Sequence, residues 1–134
     1  MQFDEYQELA RRTQNTALPL WALRQHAIFG MTSEVGEIAG MHQKIHQGHP
    51  LDDTALRLEI GDVLWFLAEI CDVYGFSLED VAIANIQKLR MRYKDKFTVE
   101  ESVHRKEYEQ KPKKEPVKSR WYTAVKDVSI NGNA

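Results

Sequence analysis

Apolar residues recur at intervals of three and four along most of the chain, the spacing that lines one face of an α-helix. Phe3, Tyr6, Leu9 and Ala10 mark a first helix over about residues 3–16, with Asp4 and Glu5 near its start, where the helix dipole favours negative charge. Pro19 interrupts it and suits the first turn of a second helix over roughly residues 18–47. Met31, Val35, Ile38, His42 and Ile45 form a 4-3-4-3 stripe there, and the glycine and proline of QGHP stop it. The third helix opens at Asp53 or Thr54 and carries Leu56, Ile60, Val63, Leu67, Ile70 and Tyr74 in a 4-3-4-3-4 rhythm up to Gly75. Leu64, Trp65, Phe66 and Cys71 widen its apolar surface beyond the single face that one small protomer can cover. Ser77 opens a fourth helix, with Asp80 at the acidic position of a capping box, that runs to about Lys94. No strand or hairpin pattern interrupts this series. The expected fold class is all-α, an antiparallel helical bundle completed by homo-oligomerisation as a dimer or tetramer.

Beyond Phe97 the text changes. The stretch EESVHRKEYEQKPKKEPVKSR is charged and proline-broken, which divides the chain into a helical domain, 1–98, and a charged C-terminal extension, 99–134, mobile in part. RWYTAV within the extension reads as a short docking segment. A length of 134 residues with 43% apolar and 28% charged residues suits one domain with one core. A net charge of -2 argues against bulk attraction to nucleic acid or to an anionic membrane. The lone Cys71 cannot form an internal disulfide; it lies on the apolar stripe of the third helix and is read as core in a reducing compartment. No apolar run approaches the roughly 18–20 residues that span a bilayer, and MQFDEYQELARR lacks a signal-peptide core. A soluble, cytoplasmic chain without nucleic-acid or membrane partners is expected.

Two short motifs break the rules of an amphipathic helix. Residues 34–37 read EVGE and residues 59–62 read EIGD, each within apolar helical text. Glycine weakens a helix interior by about 1 kcal/mol relative to alanine, and buried carboxylates are costly unless paired or bound to metal. Spacing alone says little, because Glu5/Glu8 and Glu69/Asp72 have the same interval and read as solvated faces. Gly36 with Gly40, and Gly61 on the partner, form small-residue tracks that would let two helix backbones approach closely. The connection HQGHPLDD is short, which favours antiparallel neighbours. Glu37 precedes it by about a dozen residues and Glu59 follows by about nine, so at about 1.5 Å per residue both pairs fall at similar depth. Glu34, Glu37, Glu59 and Asp62 would then converge, and four such charges must either take up protons or bind divalent cations. The alternative is that they face solvent or pair with Lys or Arg. All-oxygen ligands favour Mg²⁺ or Mn²⁺ over zinc, and Mg²⁺ keeps coordination positions for substrate phosphate.

Other candidates are weaker. Asn85, Lys88 and Arg92 share one face of the fourth helix with Leu78, Ala82 and Leu89, and could hold phosphate oxygens or form a solvated basic face. Lys44, seven residues after Glu37, could reach the same anion or serve as a helix-end lysine. A ferritin-like di-iron site wants Glu-x-x-His on two helices, and only Glu101/His104 matches. His42, His46 and His49 have no thiol or acid to complete a tetrahedral set and read as helix-end residues. Trp21, Trp65 and Phe66 fit core, interface or a base-stacking pocket equally well.

GMTSEVGEIAGMHQK, then HQGHPLD, then LEIGDVLWFLAEICDVYGFSLEDVAIANIQKLRMRY resembles the MazG-like nucleotide pyrophosphohydrolases of the small stand-alone bacterial and phage type. YQELARRT and ESVHRKE extend the likeness over roughly residues 3–107, while RYKDKF stands where that type has a proline-glycine turn and Glu69 where it is apolar or small. The resemblance implies an all-α oligomer that cleaves nucleoside triphosphates to monophosphate and diphosphate by water attack on the α-phosphorus. It also implies Mg²⁺ held by Glu34, Glu37, Glu59 and Asp62, and phosphate contacts from Asn85, Lys88 and Arg92. Two rival readings are a metal- and nucleotide-binding regulatory module without turnover, and a helical interaction protein that docks through SRWYTAV.

Overall fold

The structure, a computed structural model, describes residues 1–105. Five helices follow one another: α1 Phe3–Arg11, α2 Leu20–His46, α3 Asp53–Tyr74, α4 Leu78–Arg92 and α5 Val99–Val103. No strand occurs among the described residues, so the chain is all-α as expected. None of these helices is long and apolar enough to cross a membrane. Contacts divide the chain into two compact units, one of Met1–Gln87 and one starting at Lys88.

Local chemistry sets each helix end and corrects several expected boundaries. The first helix stops at Arg11 rather than near residue 16. The amides of Arg12, Thr13 and Gln14 turn to carbonyls three residues back, Thr13 Oγ1 donates to the Ala10 carbonyl at 2.8 Å, and Asn15 Oδ1 accepts from Ala17 N. Short polar side chains here offer the backbone an alternative to the helix ladder. Pro19 is not in the first turn of α2 but just outside it, extended at φ -66° and ψ 154°, with its carbonyl accepting from Ala22 N and Leu23 N. The cap of α3 is Asp52, one residue before those expected, whose Oδ1 accepts from Thr54 N at 2.9 Å and Ala55 N at 3.0 Å. Gly75 takes φ 73°, a left-handed conformation that glycine adopts without steric cost, and lets Phe76 N reach back to the Cys71 carbonyl at 2.8 Å. Ser77 Oγ then accepts from Asp80 N at 3.1 Å and starts α4.

The charged stretch after Phe97 is not wholly irregular. Thr98 Oγ1 accepts from Glu101 N and donates to Glu101 Oε2, and this threonine-to-glutamate capping pair opens α5. RWYTAV lies outside the described residues.

Within the first unit, α2 and α3 run antiparallel. Arg24 Nε donates to the Val73 carbonyl, His26 meets Glu69, and Gly30 faces Phe66, so residue numbers rise on one helix as they fall on the other. Helix α1 packs on α3 through Tyr6 and Ala10, which cover Leu64, Ala68 and Cys71 together with Leu78 at the start of α4. Burial, and then the charge of Asp72, raises the Cys71 thiol above its ordinary range, in keeping with a core residue.

Glu69 and Asp72 correct another expectation: neither is solvated. Glu69 is 3% exposed, with both oxygens 3.2 Å from His26 Nδ1. Asp72 Oδ1 accepts from Gln7 Nε2 at 2.7 Å and from Arg11 Nη2 at 2.6 Å. Buried carboxylates persist where donors satisfy them, and here α1 and α2 supply the donors. Gln7 is the centre of that network, because it also donates to the Phe76 carbonyl at 2.9 Å and accepts from Leu78 N at 2.6 Å. One buried amide thus ties α1 to the α3–α4 turn. Gln7→Leu strands a buried N–H and a carbonyl, and unmet groups of this kind cost about 1–3 kcal/mol each way. The expected outcome is a loss of about 2 kcal/mol with unchanged m-value, measured by urea unfolding at fixed protein concentration.

Candidate functional site

Following the α2–α3 pairing from Arg24 and Val73 toward the hairpin turn, the next layer after Gly30 and Phe66 is acidic. Glu34 on α2 and Glu59 and Asp62 on α3 each present a carboxylate oxygen, and these oxygens all lie within 4.8 Å of one another. Glu34 and Glu59 are half-buried and Asp62 is exposed. Glu37 stands outside this trio. It is exposed and about 4.5 Å further along the helix toward the turn.

Electrostatics records the crowding. The Glu34 carboxyl is raised above its ordinary range first by loss of solvent, then by the charges of Asp62, Glu59 and Glu37, and by a hydrogen bond shared with Glu59. So Glu37, although outside the trio, lies near enough to be felt. The same field reaches α1, where Tyr6 is raised by burial and then by Asp62. Three carboxylates without nitrogen or sulfur donors, mutually repelling at this range, fit a hard divalent cation such as Mg²⁺ or Mn²⁺.

The glycines around the acids act otherwise than the sequence suggests. A β-carbon added at Gly36, Gly40 or Gly61 would meet nothing within 4 Å, so these positions do not draw α2 and α3 together. The close approach is at Gly30, where a β-carbon would overlap Cε1 and Cζ of the Phe66 ring. Sequence periodicity missed Gly30 because no glycine stands four residues to either side of it, unlike Gly36 and Gly40; Phe66 opposite it was visible as a widening of the apolar stripe that fitted core, interface or a base-stacking pocket equally well.

The candidate phosphate contacts follow one another along α4 as their spacing requires. Asn85 belongs to the first unit and is exposed; Lys88 and Arg92 belong to the second, with the Arg92 guanidinium 5.8 Å from the centre of the Tyr93 ring. Lys44 is exposed in the last turn of α2, about 15 Å along the helix from Glu34. His42 Nδ1 lies 3.1 Å from the Ile38 carbonyl of its own helix and joins no ligand cluster among the described residues.

A raised carboxyl has a definite sign for stability. The folded chain holds the Glu34 proton more tightly than the unfolded chain, so stability falls as pH rises from the ordinary glutamate range through the raised value. In the presence of a chelator, Glu34→Gln should raise the melting temperature once Glu34 is ionised. The gain should vanish below pH ~4, where both states are protonated. Thermal melts of the two proteins across pH check this, and a lower melting temperature for the variant at neutral pH contradicts it.

The sequence itself supports the chemistry this layer suggests. Neither a curated protein nor a solved structure matches the chain significantly. Residues 24–97, more than half of the chain and including all four acids, match the family described as the MazG nucleotide pyrophosphohydrolase domain. The chain, with its acidic layer between two antiparallel helices, belongs to the MazG nucleotide pyrophosphohydrolase family.

Proposed function

We propose that the chain is a Mg²⁺-dependent nucleoside triphosphate pyrophosphohydrolase, converting a (deoxy)nucleoside triphosphate and water to the monophosphate and diphosphate. The observation that carries this reading is the convergence of Glu34, Glu59 and Asp62 in a member of that family. These three would hold the ion, with Glu37 at the rim of the same layer. Bound Mg²⁺ supplies charge neutralisation for the triphosphate and acidifies an attacking water. Glu37, exposed and one turn from Glu34, or Glu34 itself would accept the proton of the water that attacks the α-phosphorus. Asn85, Lys88 and Arg92 are assigned to the phosphates, with the two cations balancing charge on the departing diphosphate, and Lys44 is a further candidate.

The proposal includes a homo-oligomer, dimer or tetramer. The apolar residues buried in the described part are Ala27, Ala68, Cys71, Val73 and Leu78, and no large side chain is completely covered. Phe29 and Leu58, on the two helices that carry the acids, are 69% and 65% exposed. So thin a core is weak for a chain of this size, and apposed copies would cover the remaining apolar surface.

Wild-type protein with Mg²⁺ should release diphosphate and a monophosphate from at least one member of a nucleotide panel, identified by product analysis. Glu59→Gln should lower turnover by about 100-fold or more with helical circular dichroism unchanged. Wild-type turnover by that variant would reject the assignment, and nucleotide binding without product would favour the regulatory module. Sedimentation should give a multiple of the chain mass; a monomer at micromolar concentration would reject the assembly.

A further inference from the structure

One turn from the acidic layer, on both helices, lies the contact of Gly30 with Phe66. Gly30 precedes Glu34 by four residues and Phe66 follows Asp62 by four, so each shares a helix face with the acid it neighbours. The ring lies where a side chain on α2 would have to be. It is held from other directions as well. Trp65 meets it edge-on at 90° with ring centres 4.9 Å apart, and the Trp65 indole N–H donates to Thr13 Oγ1 at 2.8 Å. His26 approaches it at 5.6 Å, and His26 is in turn fixed by the buried Glu69 carboxylate. The ring therefore has a packed neighbour on α3, a packed neighbour on α2, and the bare α2 backbone beneath it.

We infer that Gly30 and Phe66 form a positioning contact for the metal site: the ring seated on the α2 backbone sets the separation and register at which Glu34 meets Glu59 and Asp62. This rests on the metal-site reading above and extends it to two residues that touch neither ion nor substrate. The trio needs its oxygens within a few ångströms, and a ring displaced by a methyl group one turn away shifts one helix against the other by a sizeable fraction of that distance. A methyl group at Gly30 would thus force the ring or the helices to move, although alanine is the better helix former. The three glycines near the acids have open space where a side chain would go, so the constraint is particular to this layer.

The test is a Mg²⁺ titration of the full-length protein followed by thermal shift, with diphosphate release measured in parallel. Gly30→Ala should raise the half-saturating Mg²⁺ concentration about 10- to 100-fold, the range seen when support for a metal ligand is lost. Phe66→Leu alone, which leaves a gap over Gly30, should also raise it. The double variant Gly30→Ala/Phe66→Leu should recover most of the loss, because the new methyl group occupies space the ring has vacated. A role in general stability alone would instead lower the melting temperature of the chelated variants and leave the half-saturating Mg²⁺ concentration at the wild-type value. If Gly30→Ala does not fold, Phe66→Leu against the double variant carries the same comparison. Wild-type Mg²⁺ dependence in Gly30→Ala, or a double variant as impaired as its worse parent, overturns the positioning contact while the metal site stands. A wild-type protein with no response to Mg²⁺ overturns both.

Discussion

Where the Phe66 ring rests on the α2 backbone at Gly30, the two longest helices of the first unit are brought to a defined spacing. The layers on either side take their position from it. Toward the helix ends, His26 and Glu69 form a buried pair and Arg24 reaches the Val73 carbonyl while lying 4.6 Å over the Tyr74 ring. Toward the hairpin turn, the next layer is acidic. A slip of one helical turn would move Glu34 by about 5.4 Å, more than the 4.8 Å within which the three carboxylates meet. Register is therefore the quantity that decides whether the three carboxylates meet.

The chain treats acids of the same spacing in opposite ways. Glu69 meets His26 of α2 and Asp72 accepts from Gln7 and Arg11 of α1, and these hydrogen bonds tie the three helices together. Glu34, Glu59 and Asp62 face mainly one another, and the Glu34 carboxyl is raised first by loss of solvent and then by its acidic neighbours. Under the proposed function, the repulsion removed when a cation binds this layer would add to affinity. Satisfied and crowded acids are thus divided between two halves of the same helix pair, about two turns apart.

The thin core has a related meaning. Helices α2 and α3 are long enough to place acids at mid-length, yet one copy leaves Phe29, Leu58, Ile60 and Val35 largely exposed around them. Under the proposed assembly those side chains would be covered by further copies. The metal layer would then sit in a drier environment than one chain provides, which strengthens charge–phosphate interactions.

Much of this was legible in the one-dimensional pattern. The 3-4 rhythm located the helices α2, α3 and α4 to within a few residues, because amphipathic periodicity and the stops at Gly48, Pro50 and Gly75 are local properties. The short HQGHPLDD connection favoured antiparallel neighbours, and counting from Glu37 and Glu59 set both acid pairs at similar depth; Glu34, Glu59 and Asp62 do meet there, while Glu37 stands outside the trio. What it could not settle was which residues of equal spacing face a partner and how. Glu59/Asp62, with its enclosed glycine, was set apart from Glu69/Asp72, which read as a solvated face; only the arrival of Gln7, Arg11 and His26 from distant parts of the chain shows that Glu69 and Asp72 are covered and satisfied. The closeness of the two helices was likewise misplaced onto Gly36, Gly40 and Gly61, because a glycine permits approach without requiring it. Periodicity along one strand of sequence determines a helix and its faces; the ring that occupies the space above Gly30 comes from the other helix, so tertiary structure alone decides where the backbones meet.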